Sequence, residues 1–243
     1  MRFEKRQIKT LVAVFAVLSI IALSACPAAN PKSAEESANA HYKKGMELYD
    51  AGKIEEAIGE WNEAVKVYPE QADAHFQLGV VFKKIGDLFK DQNNMDKAKE
   101  AYSIALFHYK KVAQLTPKDP AVYNNIANIF NALEDYDGAI EGYTQALILN
   151  PADPDYHYNI AIAYGKKGLT AQAVEHYNEA IRINPDYFDA YYNLANLYEK
   201  IGDNQNAIKY YMEYINRENR PNEAEWVQKA RQKVQTLRGG SIY

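Results

Sequence analysis

The chain has 243 residues, 47% hydrophobic and 25% charged. That is enough for one large domain or an elongated array, and too apolar for a disordered chain. Residues 1–10 carry Arg2, Lys5, Arg6 and Lys9 against Glu4, so a formal net charge of −4 leaves the remainder at −7, which argues against a phosphate-backbone partner and hence against nucleic acid.

In chain order, residues 1–10 form a positive segment and Leu11 to Leu23, LVAVFAVLSIIAL, an uncharged apolar one. Small residues Ser24 and Ala25 then lead to Cys26, the only cysteine, which rules out an intrachain disulfide. The pattern predicts a secretory signal over 1–25, since the apolar run is shorter than the roughly 20 residues of a membrane-spanning helix. Leu23-Ser24-Ala25-Cys26 closely resembles the bacterial lipobox. The resemblance implies cleavage before Cys26 and acylation of its thiol and often its amino group. Such chains anchor a protein durably to a bilayer, each buried CH₂ adding about 0.8 kcal/mol. The expected location is therefore the bacterial cell envelope, with residues 26–37 as a tether and Ser33 and Glu36 as a capping box for the first helix.

Self-comparison then finds a 34-residue period, marked by Pro117, Pro151 and Pro185 and preceded by Pro69. With Pro69 at position 32 of a unit, Gly45 falls at 8, Gly52 at 15, Ala57 at 20, Trp61 at 24 and Ala64 at 27. Later units repeat this as Ala127/Ala139/Tyr143/Ala146, Ala161/Gly168/Ala173/Tyr177/Ala180 and Ala195/Gly202/Ala207/Tyr211. Small residues at 8 and 20 let two helices approach, an aromatic at 24 fills the space beside them, and the proline stops the second helix. Much of the count of 20 tyrosines follows from this frame, as at Tyr143, Tyr177, Tyr211, Tyr123, Tyr191, Tyr164 and Tyr198.

This spacing resembles the tetratricopeptide repeat (TPR). The resemblance implies an all-α, right-handed α-α superhelix over 38–221, with repeats near 38–71, 72–119, 120–153, 154–187 and 188–221. Residues 222–243 supply a capping helix and tail, the apolar edge of the cap expected at Ala224, Val227, Val234 and Leu237.

The second unit is 14 residues longer than the others. The second-helix signature fits it twice, as Ala98/Tyr102/Ala105 and as Ala105/Tyr109/Val112, an offset of seven residues or nearly two helical turns. Both helices are therefore expected to be about two turns longer, with Asp91 to Asn94 as the tip of a protruding hairpin.

No catalytic signature is present: there is no G-x-S-x-G, no H-E-x-x-H, and Gly165-Lys166-Lys167-Gly168 lacks the spacing of a phosphate-binding loop. No two histidines lie three to five residues apart, so no metal site is expected. Neither an enzymatic activity nor a cofactor is expected.

The resemblance implies a groove lined by positions 2, 5, 6, 9, 12 and 13 of each first helix. Position 6 holds Asn125, Asn159 and Asn193 in the last three units, position 9 holds Asn128 and Asn196, and position 5 holds Tyr158 and Tyr192. An amide offers one acceptor and two donors, so asparagines at one-repeat spacing can bond an extended peptide whatever its sequence. The tyrosines would add rigid apolar contact with a polar tip. Position 2 holds Ala121, Asp155 and Asp189, the wrong charge for the carboxylate clamp that grips chaperone C-termini. The expected role is a membrane-anchored, non-catalytic scaffold for protein or peptide partners, by analogy with repeat lipoproteins of secretin, pilus or outer-membrane assembly. An extended-peptide-binding module using these asparagines and tyrosines is the alternative, and a regulatory subunit of an enzyme a more remote one.

Overall fold

The computed structural model describes residues 31–218 and 223–239. Cys26, the expected signal segment, the first part of the expected tether and the Arg220-Pro221 step lie outside the described residues. Among the described residues the fold is all-α, of the TPR-solenoid type, with no strand. It forms two compact units, divided between Lys118 and Asp119. The first contains α1 (Pro31–Asp50), α2 (Ile54–Val67), α3 (Ala72–Asp91) and α4 (Met95–Leu115). The second contains α5 (Pro120–Ala132), α6 (Tyr136–Leu149), α7 (Pro154–Lys167), α8 (Thr170–Ile183), α9 (Phe188–Lys200), α10 (Asn204–Arg217) and α11 (Ala224–Leu237).

Helix α1 starts earlier than the sequence reading placed it. Residues 31–37 are helical and not tether, and Ser33 lies inside the helix and not at its cap. Pro31 is at home in a first helical position, where the missing N–H has no intrahelical partner, and nothing in the Lys-Ser-Ala-Glu-Glu-Ser run after it stops a helix.

Each helix pair turns through a residue with positive φ at the same place: Gly52, Asn93, Glu134, Gly168 and Gly202. In every case the next residue's N–H returns to a carbonyl five residues back, as in Lys53 to Leu48 at 2.8 Å and Asp203 to Tyr198 at 2.9 Å. This 6→1 bond closes the first helix and aims the chain into the second. Asn94, Asp135 and Asp203 then cap the second helix with their side chains.

Packing within each pair rests on a small residue facing an aromatic ring sixteen residues later. A Cβ on Gly45 would come within 2.4 Å of the Trp61 indole. In the second unit Ala127 and Tyr143, Ala161 and Tyr177, and Ala195 and Tyr211 share core clusters in the same way.

Helices α3 and α4 are 20 and 21 residues long, against 13 or 14 for the paired helices α5 to α10, and Gln92 to Asn94 form the turn. Both readings of the second-helix signature are used at once. Tyr102 faces Gly86 and Tyr109 faces Gly79, each glycine so close that a Cβ would lie 2.5 Å and 2.7 Å from the ring. The seven residues added to each helix thus insert one more copy of the glycine–aromatic layer. Tyr102 also donates its hydroxyl to Asp87 at 2.8 Å.

The cap helix α11 buries Ala230 and Val234, with Val227 and Leu237 packed beside them. Ala224, expected on this edge, is exposed. The spacing 227, 230, 234, 237 follows one helix face, and Ala224 lies one turn beyond its contact.

The extra layer is testable at Gly86. Changing Gly86→Ala gains about 1 kcal/mol of helix propensity, yet forces a methyl into a buried ring at a cost of about 1–3 kcal/mol. Urea unfolding should give a net loss of about 1 kcal/mol. In a Tyr102→Leu background the same change should be neutral or stabilising, and an equal penalty in both backgrounds would refute the contact.

Candidate functional site

All five histidines lie between the two helices of a pair. His41 Nδ1 meets Glu60 Oε2 at 2.7 Å, and Lys44 holds the other carboxylate oxygen at 2.6 Å. His75 and His108 meet through their Nδ1 atoms at 2.9 Å, and His157 and His176 at 3.0 Å. His75 Nε2 lies 3.1 Å from the Pro69 carbonyl, which can only accept. His75 therefore carries its proton on Nε2, its Nδ1 accepts, and His108 Nδ1–H donates to it. These are neutral packing pairs. No group of three or more potential metal ligands occurs among the described residues.

Burial lowers all four paired histidines, His108 to about 3. A histidine held neutral in the fold and protonated when unfolded stabilises the fold fully above about pH 6.5, and that contribution is lost as pH falls toward the folded value.

The groove residues sort into two groups. Asn193 Nδ2 donates to the Tyr158 hydroxyl at 2.6 Å, tying α9 to α7. Burial, with Asp189 nearby, pushes the Tyr158 phenol up to about 12, so it stays neutral. Tyr192 packs edge-on against Tyr211, Tyr214 and Trp226, with ring centroids 5.2–5.6 Å apart. Tyr158, Asp189, Tyr192, Asn193, Tyr214, Glu223 and Trp226 line a cavity of about 190 Å³.

A second cleft of about 310 Å³ adjoins it through Asn193, lined also by Ile162, Gly165, Lys166, Tyr177, Asn196, Leu197 and Lys200. Below it the Tyr211 hydroxyl shares its proton between Asn196 Oδ1 and Glu199 Oε2, both at 2.6 Å. Burial would raise Glu199, but bonds from Lys233 and Tyr211 outweigh it and hold the carboxyl below its ordinary range.

The cavities bring together Tyr158, Tyr192, Asn193 and Asn196. Asn125, Asn128 and Asn159 line neither. Asn128 is turned to packing, its Oδ1 accepting from Tyr143 at 2.7 Å. Sequence reasoning missed Tyr214 on α10 and Glu223 and Trp226 at the start of α11, and assigned no groove role to Lys166 or Lys200 although both occupy groove position 13.

Comparison with known families finds the TPR repeat over residues 45–86, 127–168 and 170–202, and the tetratricopeptide repeat over 188–220. Together these matches span more than half of the chain. It belongs to the tetratricopeptide repeat family. No curated protein matches this TPR chain. Among solved structures it resembles MamA (residues 41 to the end) from Desulfovibrio magneticus RS-1, with 17% identity, TM-score 0.64, 74% of this chain and 94% of that one covered. It also resembles YrrB, described as a TPR protein with an unusual peptide-binding site, with 16% identity, TM-score 0.60 and 84% and 98% covered. PilF of Pseudomonas aeruginosa matches with 20% identity, TM-score 0.56 and 84% and 90% covered. At these identities the likeness is one of fold. The families matched are repeat modules that bind protein or peptide partners, and no enzyme family is among them.

The histidine pairs give a test by pH. Between pH 7.5 and pH 5, the unfolding free energy should fall by about 2 kcal/mol from His108 alone. His108→Phe, which keeps an aromatic ring between Phe82 and Phe107, should flatten that part of the slope in urea titrations at the two pH values.

Proposed function

We propose that this chain is a lipid-anchored, non-catalytic TPR scaffold of the bacterial envelope that holds an extended segment of a partner protein. The observation that carries the reading is the pair of adjoining cavities on α7 and α9. They include groove positions 2, 5, 6, 9, 12 and 13 of these two helices, share Asn193, and combine aromatic walls with amides. Apolar walls with a few convergent polar groups are what a recognition site needs. The tyrosines are rigid and bury area at low entropic cost, while the amides meet the alternating N–H and C=O groups of an extended chain.

The likeness to YrrB, whose description names a peptide-binding site, supports a peptide reading for the fold. The lipobox-like Leu23-Ser24-Ala25-Cys26 and the basic, then apolar, segment before it support the anchor. An anchored scaffold confines its partner to the membrane surface and raises the local concentration of whatever it gathers there.

Two experiments test this. In a cross-linking pull-down from envelopes, Asn193→Ala/Asn196→Ala should lose most captured partner at unchanged helicity, whereas Asn125→Ala/Asn159→Ala should retain it. Equal capture by both variants would remove the site from α9. Separately, Cys26→Ala should move the folded protein from the membrane fraction to the soluble one. Sedimentation with membranes after a carbonate wash would refute the lipid anchor.

A further inference from the structure

Gly165 has no packing reason to be glycine. A Cβ there would meet only Leu197 and Ala173, at the ordinary distances of 3.9 Å and 4.0 Å, and its φ is not positive. Gly45, Gly79 and Gly86, by contrast, lie against rings that exclude a methyl. Glycine in a helix is less favourable than alanine by about 1 kcal/mol, so this position forgoes stability. The same position in the first, third and fifth units carries Tyr49, Asn131 and Glu199. What the missing side chain leaves is the floor of the 310 Å³ cleft.

That cleft is bordered by Lys166 on α7 and Lys200 on α9, the same repeat position one unit apart. Both are exposed, and neither makes an ion pair or side-chain hydrogen bond among the described residues. Nearby lysines are used otherwise: Lys167 pairs with Asp137 and Lys233 with Glu199. Tyr177, Leu197 and Ile162 line the same cleft, as do Asn193 and Asn196. Two unpaired cations over a partly apolar, amide-flanked cleft suit a carboxylate with a short apolar stem.

Resting on the peptide reading above, we infer that this cleft receives the side chain of a glutamate or aspartate within the partner's extended segment, held by Lys166 and Lys200. An internal acidic residue fits better than a chain end, because the cleft continues through Asn193 into the Tyr158/Tyr192 cavity and the segment runs on into it. Asp189 and Glu223 line the adjoining cavity, so charge complementarity places the acidic residue at the Lys166/Lys200 end of the groove and not beside Tyr192.

The test uses the purified full-length protein and a randomised decapeptide library displayed with both free and amidated C-termini. Wild type should enrich peptides with an internal Glu or Asp equally in both forms. Replacing that residue by Gln or Asn in an enriched peptide should weaken binding several-fold, up to about tenfold, and less at high salt. Lys166→Glu/Lys200→Glu should turn the preference toward Lys or Arg. Gly165→Leu should weaken binding while circular dichroism stays as in wild type and melting holds or rises by a few degrees.

Peptide retention without acidic preference, or with the same preference in the charge-reversed variant, overturns this site and leaves the groove reading standing. Enrichment confined to free C-termini would make the ligand a terminal carboxylate and also overturn it. If no peptide is retained, the groove reading itself fails, and this inference with it.

Discussion

The structure depends on how closely two antiparallel helices can approach where a small residue faces an aromatic ring. At Gly45 and Trp61 there is no room for a single methyl group, and the ring is fully buried. The first helix supplies a flat backbone surface and the second supplies the volume, so that the core of each pair is one ring deep. Buried Trp61, Tyr102, Tyr109, Tyr143 and Tyr211 are the largest enclosed side chains for this reason. Tyrosine suits the place because its hydroxyl reaches across the pair to a polar group of the first helix. Tyr102 reaches Asp87, Tyr143 reaches Asn128 and Tyr211 reaches Asn196. A buried hydroxyl without a partner would cost roughly 1–3 kcal/mol, so the ring's polar tip and the position-9 or nearby side chain are selected together.

That coupling explains what could be read from the sequence and what could not. The helix pairs were legible because glycine or alanine, the αL turn and the aromatic recur at fixed separations set by backbone geometry alone. The long second pair was legible for the same reason: seven residues in each helix preserve facing, so Gly86 and Tyr102 repeat the contact that Gly79 and Tyr109 make. The start of α1 was misread because a capping box was sought at Ser33, whereas Pro31 already lies in the helix. Glu134 adopts positive φ at a place where other units use glycine or asparagine. The turn is therefore imposed by the helices it joins, more than by its own residue.

The candidate site was only half legible. A repeat frame says which positions face a groove, but it treats all units alike, and the cavities here arise from differences between units. Asn128 and Asn193 sit in equally good groove positions, yet one is bonded to its own core tyrosine and the other bridges to the preceding unit's Tyr158. The aromatic cavity needs Trp226 and Glu223, which precede or open the cap helix and belong to no repeat. Nothing in their spacing relates them to Tyr192. Only the packing of α11 on α10, through Val227, Ala230 and Val234, brings them there.

The cap therefore has two consequences from one contact. Its inner face ends the stack by burying Ala230 and Val234, while its first turn carries Trp226 out to Tyr192. Lys229 lies 4.2 Å from the Trp226 ring centroid and bonds Glu225, so the indole is braced on one side and open toward the cavity on the other. A cap built only to shield a core would gain from leaving a partly exposed tryptophan out, since apolar area kept in water contributes nothing to folding. Retaining it at the end of a groove, beside two tyrosines and an amide, places stiff apolar area where an extended segment can bury it. The aromatic cavity thus lies where α11 packs on α10, beside the last repeat matched, and not within a repeat.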